Sequence, residues 1–363
     1  MKIAAIEPIV LSIPFTAGGS GEGIMPTVWN TLDIVLVRVE SDDGLIGWGE
    51  AFGYFCADAT AAMIRRSVAP VLIGREFDSP EPLGEELQRK MVLQGRYGIS
   101  TFAISGVDIA LWDLKAKAEG VSLAELIGDR NRDSVPAYAS LVRYGDSDLV
   151  AEYTEKAASQ GYPEIKLHEI TLPEIRCSHQ VVGGEIPISV DVNCNWSVEF
   201  TQEVLPELVE LKASWLEEPV FPPDDFRTLA SLRGNDMPIA AGENACTAFQ
   251  FAEMIRLGGC DLIQPSVTKV GGISEFLRVL HLNREAGLRL MPHSPYFGPG
   301  YLATLQLAAM TPSFELFEFL YIEPDAWLFP NMPLPEQGEV AIPDGTGLGI
   351  EPDADVIARY RIA

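Results

Sequence analysis

The sequence predicts an α/β protein in which a closed parallel barrel follows an N-terminal α+β domain. Three observations support this prediction. The first 50 residues alternate in the manner of antiparallel strands, residues 58–119 carry a helical period, and eight short apolar segments after residue 128 alternate with helix-patterned stretches. A chain of 363 residues, 47% of them hydrophobic, is long enough to bury the cores of both domains.

The first domain opens with predicted strands at 3–11 and 32–40, and Asp43-Gly44 predicts a tight turn into a third strand at 45–50. The glycine-rich segment from Pro14 to Asn30 is too long for a simple hairpin, so it is either a mobile lid or a tolerated insertion. Residues 102–118 carry the apolar stripe of a packed helix.

The barrel prediction comes from eight segments with the length and apolar character of buried strands, because eight parallel strands suffice to close a barrel. The proline-rich and glycine-rich tail from Tyr321 has no helical period until about Asp353, and we expect it to pack back on the first domain. The eight segments are 135–142, 164–168, 187–193, 213–217, 238–243, 261–266, 288–293 and 314–319.

Three carboxylates end successive predicted strands: Asp191, Glu217 and Glu243. The carboxyl ends of barrel strands gather around one mouth, so these groups are expected to meet there, where a cation would have to neutralise them. Oxygen ligands alone suit a hard ion such as Mg²⁺. Taken singly, each acid could instead be a helix cap or a structural acid. Glu218 is adjacent to Glu217, so strand alternation predicts that its side chain points outward.

The preceding strand carries two polar residues on one face, Lys166 and His168, which are two positions apart. Both are expected to enter the mouth, where a lysine near a cation has its ammonium form disfavoured and a histidine titrates near neutral pH. Either can therefore serve as a base. Asn193 follows Asp191 with the same two-residue spacing.

Composition points to a small-molecule partner. Asp and Glu number 52 against 26 Lys and Arg, and the net charge of -26 repels nucleic acid and anionic membranes. The five scattered cysteines show no disulfide or metal-binding spacing. With no apolar signal segment or membrane span in the sequence, we expect a cytoplasmic protein.

The chain resembles the enolase superfamily, in the branch of mandelate racemase and muconate lactonizing enzyme. The likeness covers nearly the whole sequence. The motifs that carry it, besides the four strand ends from Lys166 to Asn244, are Asp43-Gly44 to Gly49-Glu50, the run from Ser105 to Lys115, Lys269-Val270-Gly271-Gly272, Pro292-His293 and Ile342-Pro343-Asp344-Gly345.

This resemblance implies a modified TIM barrel of the (β/α)7β type at residues 126–322, under an α+β capping domain formed by residues 1–125 and completed by 323–363. It also implies that Asp191, Glu217 and Glu243 bind Mg²⁺, that a proton α to a carboxylate is removed to leave an enediolate, and that the protein is a homo-oligomer.

The chain departs from the family pattern at two positions. His168 stands where the family usually has a second lysine, commonly the base itself. His293 matches the histidine of the mandelate racemase subgroup, but Ser266 replaces its aspartate partner, which suits His293 to a general acid. The side chains predicted to contact substrate are Asn193, Glu318, Ser266, Trp29 and Tyr54; Met25 and Phe55 also come from segments that would cap the pocket.

These features predict a Mg²⁺-dependent dehydratase that acts on an acid sugar or hydroxy acid. The base at Lys166 or His168 would take the α-proton, and His293 would help the β-hydroxyl to leave as water. Racemisation or epimerisation and cycloisomerisation of a lactone begin with the same step and remain open. A barrel that has lost activity and serves as a scaffold is the alternative outside enzymology.

Overall fold

The structure is a computed structural model and describes residues 1–21 and 28–363. An antiparallel sheet organises the N-terminal part of the chain, with the order β12-β1-β2-β3. Its strands are β1 (Ile3–Thr16), β2 (Thr31–Ser41), β3 (Ile46–Ala51) and β12 (Glu323–Pro324), the last contributed by the tail. The turn predicted at Asp43-Gly44 joins β2 to β3, with Gly44 at φ 87°.

Helices pack on one side of this sheet. The longest, α4, presents Gly106 to Gly49 of β3, and a Cβ at Gly49 would lie 1.9 Å from the carbonyl oxygen of Gly106, so glycine permits this close approach. The prediction of an antiparallel α+β domain is confirmed. Its helices are α1 (Ala57–Met63), continued by a π-helical turn (Ile64–Val68) into α2 (Ala69–Leu72), then α3 (Glu81–Lys90), a 3₁₀ turn (Val92–Gln94), α4 (Ile99–Glu119) and α5 (Leu123–Ile127).

Eight parallel strands form the second sheet, in the order β10-β9-β8-β7-β6-β5-β4-β11. A bridge between Leu290 and Phe314 joins β10 to the segment before β11 and closes the barrel. Each predicted segment overlaps one strand, so the barrel prediction is confirmed. The strands are β4 (Ser134–Ser140), β5 (Ile165–Leu167), β6 (Ile188–Asp191), β7 (Leu216–Glu217), β8 (Ile239–Ala241), β9 (Leu262–Ile263), β10 (Arg289–Leu290) and β11 (Phe317–Leu320).

Seven helices alternate with these strands across residues 134–320, all of which the structure describes. Local sequence defines their ends: Asp146 and Ser197 cap α6 and α8 through backbone N–H groups, and Gly183, Gly258 and Gly287 end helices in the left-handed conformation. The helices are α6 (Ser147–Ser159), α7 (Leu172–Val182), α8 (Val198–Glu210), α9 (Phe226–Leu232), α10 (Thr247–Leu257), α11 (Gly272–Ala286) and α12 (Pro299–Met310).

The tail contacts both parts of the molecule. Strand β13 (Glu339–Ala341) pairs with β4 of the barrel, while Ile362 and Ala363, after α13 (Ala354–Tyr360), exchange backbone hydrogen bonds with Val10 of β1. The tail therefore packs on the first domain, as expected, and pairs with the barrel as well. The domain boundary after residue 125 stays a prediction.

Alternation along the barrel strands separates an inner from an outer set of side chains. Tyr138, Trp215 and Met291 belong to a small apolar cluster in the barrel interior. Glu217 lies two residues beyond Trp215, toward the carboxyl end of its strand. The interior therefore offers an apolar floor beneath a polar mouth. Among residues 1–21 and 28–363, no helix combines the length and apolarity required to cross a membrane.

Candidate active site

The three predicted acids meet at the carboxyl ends of their strands. Asp191 ends β6, Glu217 ends β7, and Glu243 lies two residues beyond β8. One carboxylate oxygen from each lies within 4.8 Å of the others. The strand spacing therefore produces the convergence that the sequence predicts.

The electrostatics of this acid cluster (Asp191, Glu217 and Glu243) show an excess of negative charge. Burial and repulsion from Asp191 raise the pKa of Glu217 well above its usual range. Burial also tends to raise the pKa of Asp191, but Lys166 and His168 more than offset it and hold that pKa below its usual value. Burial opposes ionisation of Glu243 as well, but His293 holds the pKa of Glu243 well below its usual value. Three close oxygen donors without sulfur, two of them buried and Glu243 partly buried, fit a hard divalent cation.

Lys166 is enclosed by carboxylates. Its Nζ lies 2.9 Å from Oε1 of Glu318, 3.2 Å from both oxygens of Glu217 and 3.5 Å from Oδ2 of Asp191. Although burial opposes the charged form, Glu217 and Glu318 raise the pKa of Lys166 well above its usual value. This rise in the pKa of Lys166 is opposite to the fall that we expect for a lysine beside a cation.

His168 has one ring nitrogen committed to the backbone. Its Nδ1 lies 2.5 Å from the carbonyl oxygen of Leu141, and because a carbonyl only accepts, Nδ1 carries a hydrogen. Its Nε2 lies 3.3 Å from Oδ2 of Asp191. Arg143 supports this arrangement, since its Nε donates to the carbonyl of His168 at 2.6 Å and its Nη2 to Oδ1 of Asn193 at 3.1 Å. The sequence reasoning missed Arg143.

His293 lies at the other end of the acid cluster. Its Nε2 is 2.9 Å from Oε2 of Glu243, and its Nδ1 is 3.0 Å from the hydroxyl of Tyr296 and 3.2 Å from that of Ser266. Ser266 is fully buried behind the imidazole and is not among the residues that line the cavity. Tyr296 was not predicted, because it lies in an irregular loop where no strand or helix period indicates its direction.

Glu318 accepts hydrogen bonds at both carboxylate oxygens. Oε1 accepts from the hydroxyl of Ser140 at 2.9 Å and also faces Lys166, while Oε2 accepts from the backbone N–H of Ser294 at 2.9 Å. Both carboxylate oxygens of Glu318 thus have protein donors. Its contact with substrate stays a prediction.

Glu218 is predicted to face away from the mouth, and it is buried and does not line the mouth cavity. The strand ends at Glu217, and Glu218 has φ 34°, so the period of two no longer applies. Its buried carboxylate accepts from the backbone N–H of Gly242 at 3.2 Å and from Nδ2 of Asn244 at 2.7 Å. Asn244 in turn accepts from Lys269 at 3.0 Å. These contacts hold the loop that presents Glu243.

A cavity of about 340 Å³ lies above these groups. The N-terminal part of the chain, called the capping side below, contributes aromatic residues to the cavity. Among them, Tyr54 donates from its hydroxyl to the carbonyl of Pro295 at 2.5 Å. Residues 22–27 of the predicted lid, which include Met25, lie outside the described residues. The lining comprises Trp29, Phe52, Tyr54, Phe55, Phe102, Ser140, His168, Asn193, Glu243, Asn244, Lys269, His293, Pro295, Glu318 and Leu320.

Comparison with known proteins gives consistent matches over the whole chain. Residues 24–128 match the family described as mandelate racemase / muconate lactonizing enzyme, N-terminal domain, and residues 148–356 match enolase C-terminal domain-like proteins. D-galactarolactone cycloisomerase of Agrobacterium fabrum is 33% identical, over 90% of this chain and 91% of that protein. Arabinonate dehydratase of Saccharolobus solfataricus is 28% identical, over 91% of each chain.

Solved structures of similar proteins superpose on this chain over nearly its whole length. The 3,6-anhydro-D-galactonate cycloisomerase of Zobellia galactanivorans superposes with a TM-score of 0.88 at 26% identity, covering 100% of both chains. An enolase-superfamily member from Polaromonas sp. JS666 gives a TM-score of 0.89 at 30% identity, covering 100% of this chain and 98% of that one. The chain belongs to the mandelate racemase / muconate lactonizing enzyme family of the enolase superfamily.

Proposed function

We propose that this enzyme removes the proton α to the carboxylate of a small sugar acid or hydroxy acid and eliminates a β-hydroxyl as water. The observation that carries the proposal is the placement of two imidazoles at one acid cluster. His168 approaches Asp191 of β6, and His293 approaches Glu243 beyond β8, so β7 and its Glu217 lie between them. This arrangement supports transfer of two protons at two neighbouring carbons.

Asp191, Glu217 and Glu243 are the residues that would hold Mg²⁺. The support comes from the close oxygen donors and from the raised pKa of Glu217, which reflects its burial and its repulsion by Asp191. When bound there, Mg²⁺ supplies positive charge to the substrate carboxylate as the α-carbon loses its proton.

His168 is the proposed base. Its Nδ1–H donates to the Leu141 carbonyl, which leaves Nε2, 3.3 Å from Oδ2 of Asp191, as the nitrogen that can exchange a proton with the substrate. Lys166 fits a different role, because its ammonium group is held among carboxylates and can balance negative charge near the substrate carboxylate. This assignment separates two residues that the sequence left as equal candidates.

His293 is the proposed acid. It lines the same cavity, and a proton delivered from its Nε2 to the β-oxygen would allow that oxygen to leave as water. The departing hydroxyl takes the electron pair of the broken carbon–oxygen bond, and the resulting enol becomes a 2-keto acid. Two relatives named as dehydratases are consistent with this outcome.

Cycloisomerisation is the second candidate, because the relative at 33% identity is named a D-galactarolactone cycloisomerase. The same elimination opens a ring without loss of water if the leaving oxygen belongs to that ring. Racemisation has less support, since it requires His293 to work as a base without a carboxylate at Nδ1.

The test is incubation of the enzyme and Mg²⁺ in D₂O with aldonates, aldarates, their lactones and 2-hydroxy acids. We expect deuterium at the α-position and a keto acid product from at least one compound. A ring-opened product that has the same mass as the starting lactone, once the incorporated deuterium is subtracted, would identify cycloisomerisation. Loss of optical rotation with no new compound would indicate racemisation, and absence of both exchange and product across the panel would favour the scaffold alternative.

A further inference from the structure

The imidazole of His293 has an unusual pair of partners on its inner side. Nδ1 contacts the hydroxyls of Tyr296 and Ser266, and these two hydroxyls also contact each other. Tyr296 is 1% exposed and Ser266 is fully buried. The three polar groups therefore form a closed triangle behind the ring, away from the cavity.

A hydroxyl differs from a carboxylate because it can either donate or accept. If Nδ1 lacks a hydrogen, Tyr296 or Ser266 can donate to it; if Nδ1 carries a hydrogen, either can accept. The pair therefore holds the plane of the His293 ring without requiring one tautomer. Nε2 is then directed at Glu243 and the cavity.

The capping side in turn holds Tyr296. Its ring contacts those of Phe52 and Tyr54, each with centroids 6.4 Å apart, and it meets the His293 ring edge-on at 5.6 Å. The hydrogen bond from Tyr54 to the carbonyl of Pro295 restrains the adjacent backbone. A continuous set of contacts thus runs from the aromatic wall of the cavity to the imidazole.

We propose that Tyr296, acting together with Ser266, positions His293 for proton delivery to the leaving oxygen. This inference rests on the proposed function, in which His293 acts after the α-proton has been removed. Tyr296 does not itself line the cavity, so its effect on the reaction is transmitted through His293. Ser266 stands where the family resemblance leads one to expect an aspartate, and Tyr296 supplies the second hydroxyl at Nδ1 of His293.

Kinetics of Tyr296→Phe separate positioning from general structural damage. Loss of an orienting hydrogen bond of this kind typically costs about 10- to 100-fold. We expect kcat for product to fall by about tenfold with KM little changed, while α-proton exchange persists, so the ratio of exchange to product rises. Because either hydroxyl can replace the other at Nδ1, the combined Tyr296→Phe and Ser266→Ala variant should lose more than the two single losses together predict.

Tyr301→Phe is the matched control. Tyr301 is also fully buried, but its hydroxyl donates to the carbonyl of Pro333 at 2.6 Å, whereas that of Tyr296 contacts His293. We expect its exchange-to-product ratio to equal that of the wild type. An unchanged ratio in Tyr296→Phe and in the double variant would overturn the positioning role.

A spectroscopic measurement keeps the inference testable even if no substrate is found. The imidazole ¹⁵N resonances of His293, one of four histidines, can be assigned from their loss in His293→Gln. We expect the Nδ1 resonance to shift in Tyr296→Phe and to stay in place in Tyr301→Phe. No shift in either variant would contradict the hydrogen bond, whereas failure of the substrate panel alone would contradict only the proposed reaction.

Discussion

The two ends of the acid cluster hold their histidines by different means. At His168 the inner nitrogen donates to the backbone carbonyl of Leu141, which can only accept. At His293 the inner nitrogen faces the hydroxyls of Tyr296 and Ser266, which can accept or donate. The first arrangement imposes one tautomer and suits a base, whereas the second orients the ring without that restriction and suits delivery of a proton.

The supporting shells also differ in origin. Around His168 the supports come from the barrel itself, through Leu141 and Arg143. Around His293 they include the capping side, because Tyr296 packs against Phe52 and Tyr54. By the roles proposed above, the His168 side is the base end, with supports from the loop after β4. The His293 side is the acid end, and its supports also contact the N-terminal part of the chain.

Glu217→Gln should have the largest effect, because it alters the acid cluster that both ends share. We expect Mg²⁺ binding to weaken by at least tenfold and both exchange and product formation to fall together. Calorimetric titration with Mg²⁺ provides the measurement. Glu164→Gln is the control: burial raises the pKa of Glu164 to about 8, so it is largely neutral at pH 7 and glutamine resembles it. Wild-type Mg²⁺ affinity in Glu217→Gln would remove that residue from the metal site.

His168→Ala is expected to abolish α-proton exchange, with a loss of about 10²- to 10⁴-fold, the range for removal of a general base. Product formation must fall equally, since elimination follows proton removal. Deuterium incorporation measured by NMR tests this. Wild-type exchange in the variant would assign the base role to Lys166 instead.

His293→Gln is expected to impair the second proton transfer without impairing the first. We expect product formation to fall about 10²- to 10⁴-fold while exchange at the α-carbon continues, because His168 is intact. The two rates can be measured in one D₂O experiment. Equal loss of both would mean that the two histidines do not divide the reaction between them.

Arg143→Lys should affect the base end moderately. Lysine keeps the charge but cannot reproduce the paired contacts of Nε with the carbonyl of His168 and of Nη2 with Asn193. We expect a loss of about tenfold in exchange, with an unchanged ratio of exchange to product. A change in that ratio would place the effect of Arg143 at the acid end.

Glu50→Gln should give the smallest effect and reports on contact between the capping side and the acid end. Glu50 on β3 accepts from the backbone N–H of Gly300 at 2.8 Å, and burial raises its pKa to about 8 from a usual 4.5. Between pH 4.5 and about pH 8, the folded protein therefore keeps a proton on Glu50 that the unfolded chain loses. The free energy of unfolding decreases as the pH rises through this range. Glutamine keeps the acceptor without the ionisation.

The corresponding measurement is the melting temperature of wild type and Glu50→Gln between pH 5 and pH 8. We expect the decline with pH to be shallower in the variant, with catalysis little changed. Parallel curves would show that folding does not raise the pKa of Glu50.

Much of this architecture follows from the sequence alone. Periodicity identifies the barrel strands, since a strand alternates with period two and a helix with 3.6 wherever the elements are regular. Because parallel strands place their carboxyl ends at one mouth, the same spacing predicts that Asp191, Glu217 and Glu243 converge.

Tertiary structure decided what lies beyond the strand ends. Glu218, Tyr296 and Arg143 lie where the chain turns irregularly, so no period indicates which way their side chains point. The hydroxyl partners of His293 come from residues 27 and 3 positions away, and the rings that hold Tyr296 belong to the other part of the chain. The fold and the acid cluster could be predicted from the sequence, because both follow from local periodicity. The orientation of each histidine became clear only from the folded structure, because it depends on contacts between loops that are distant in sequence.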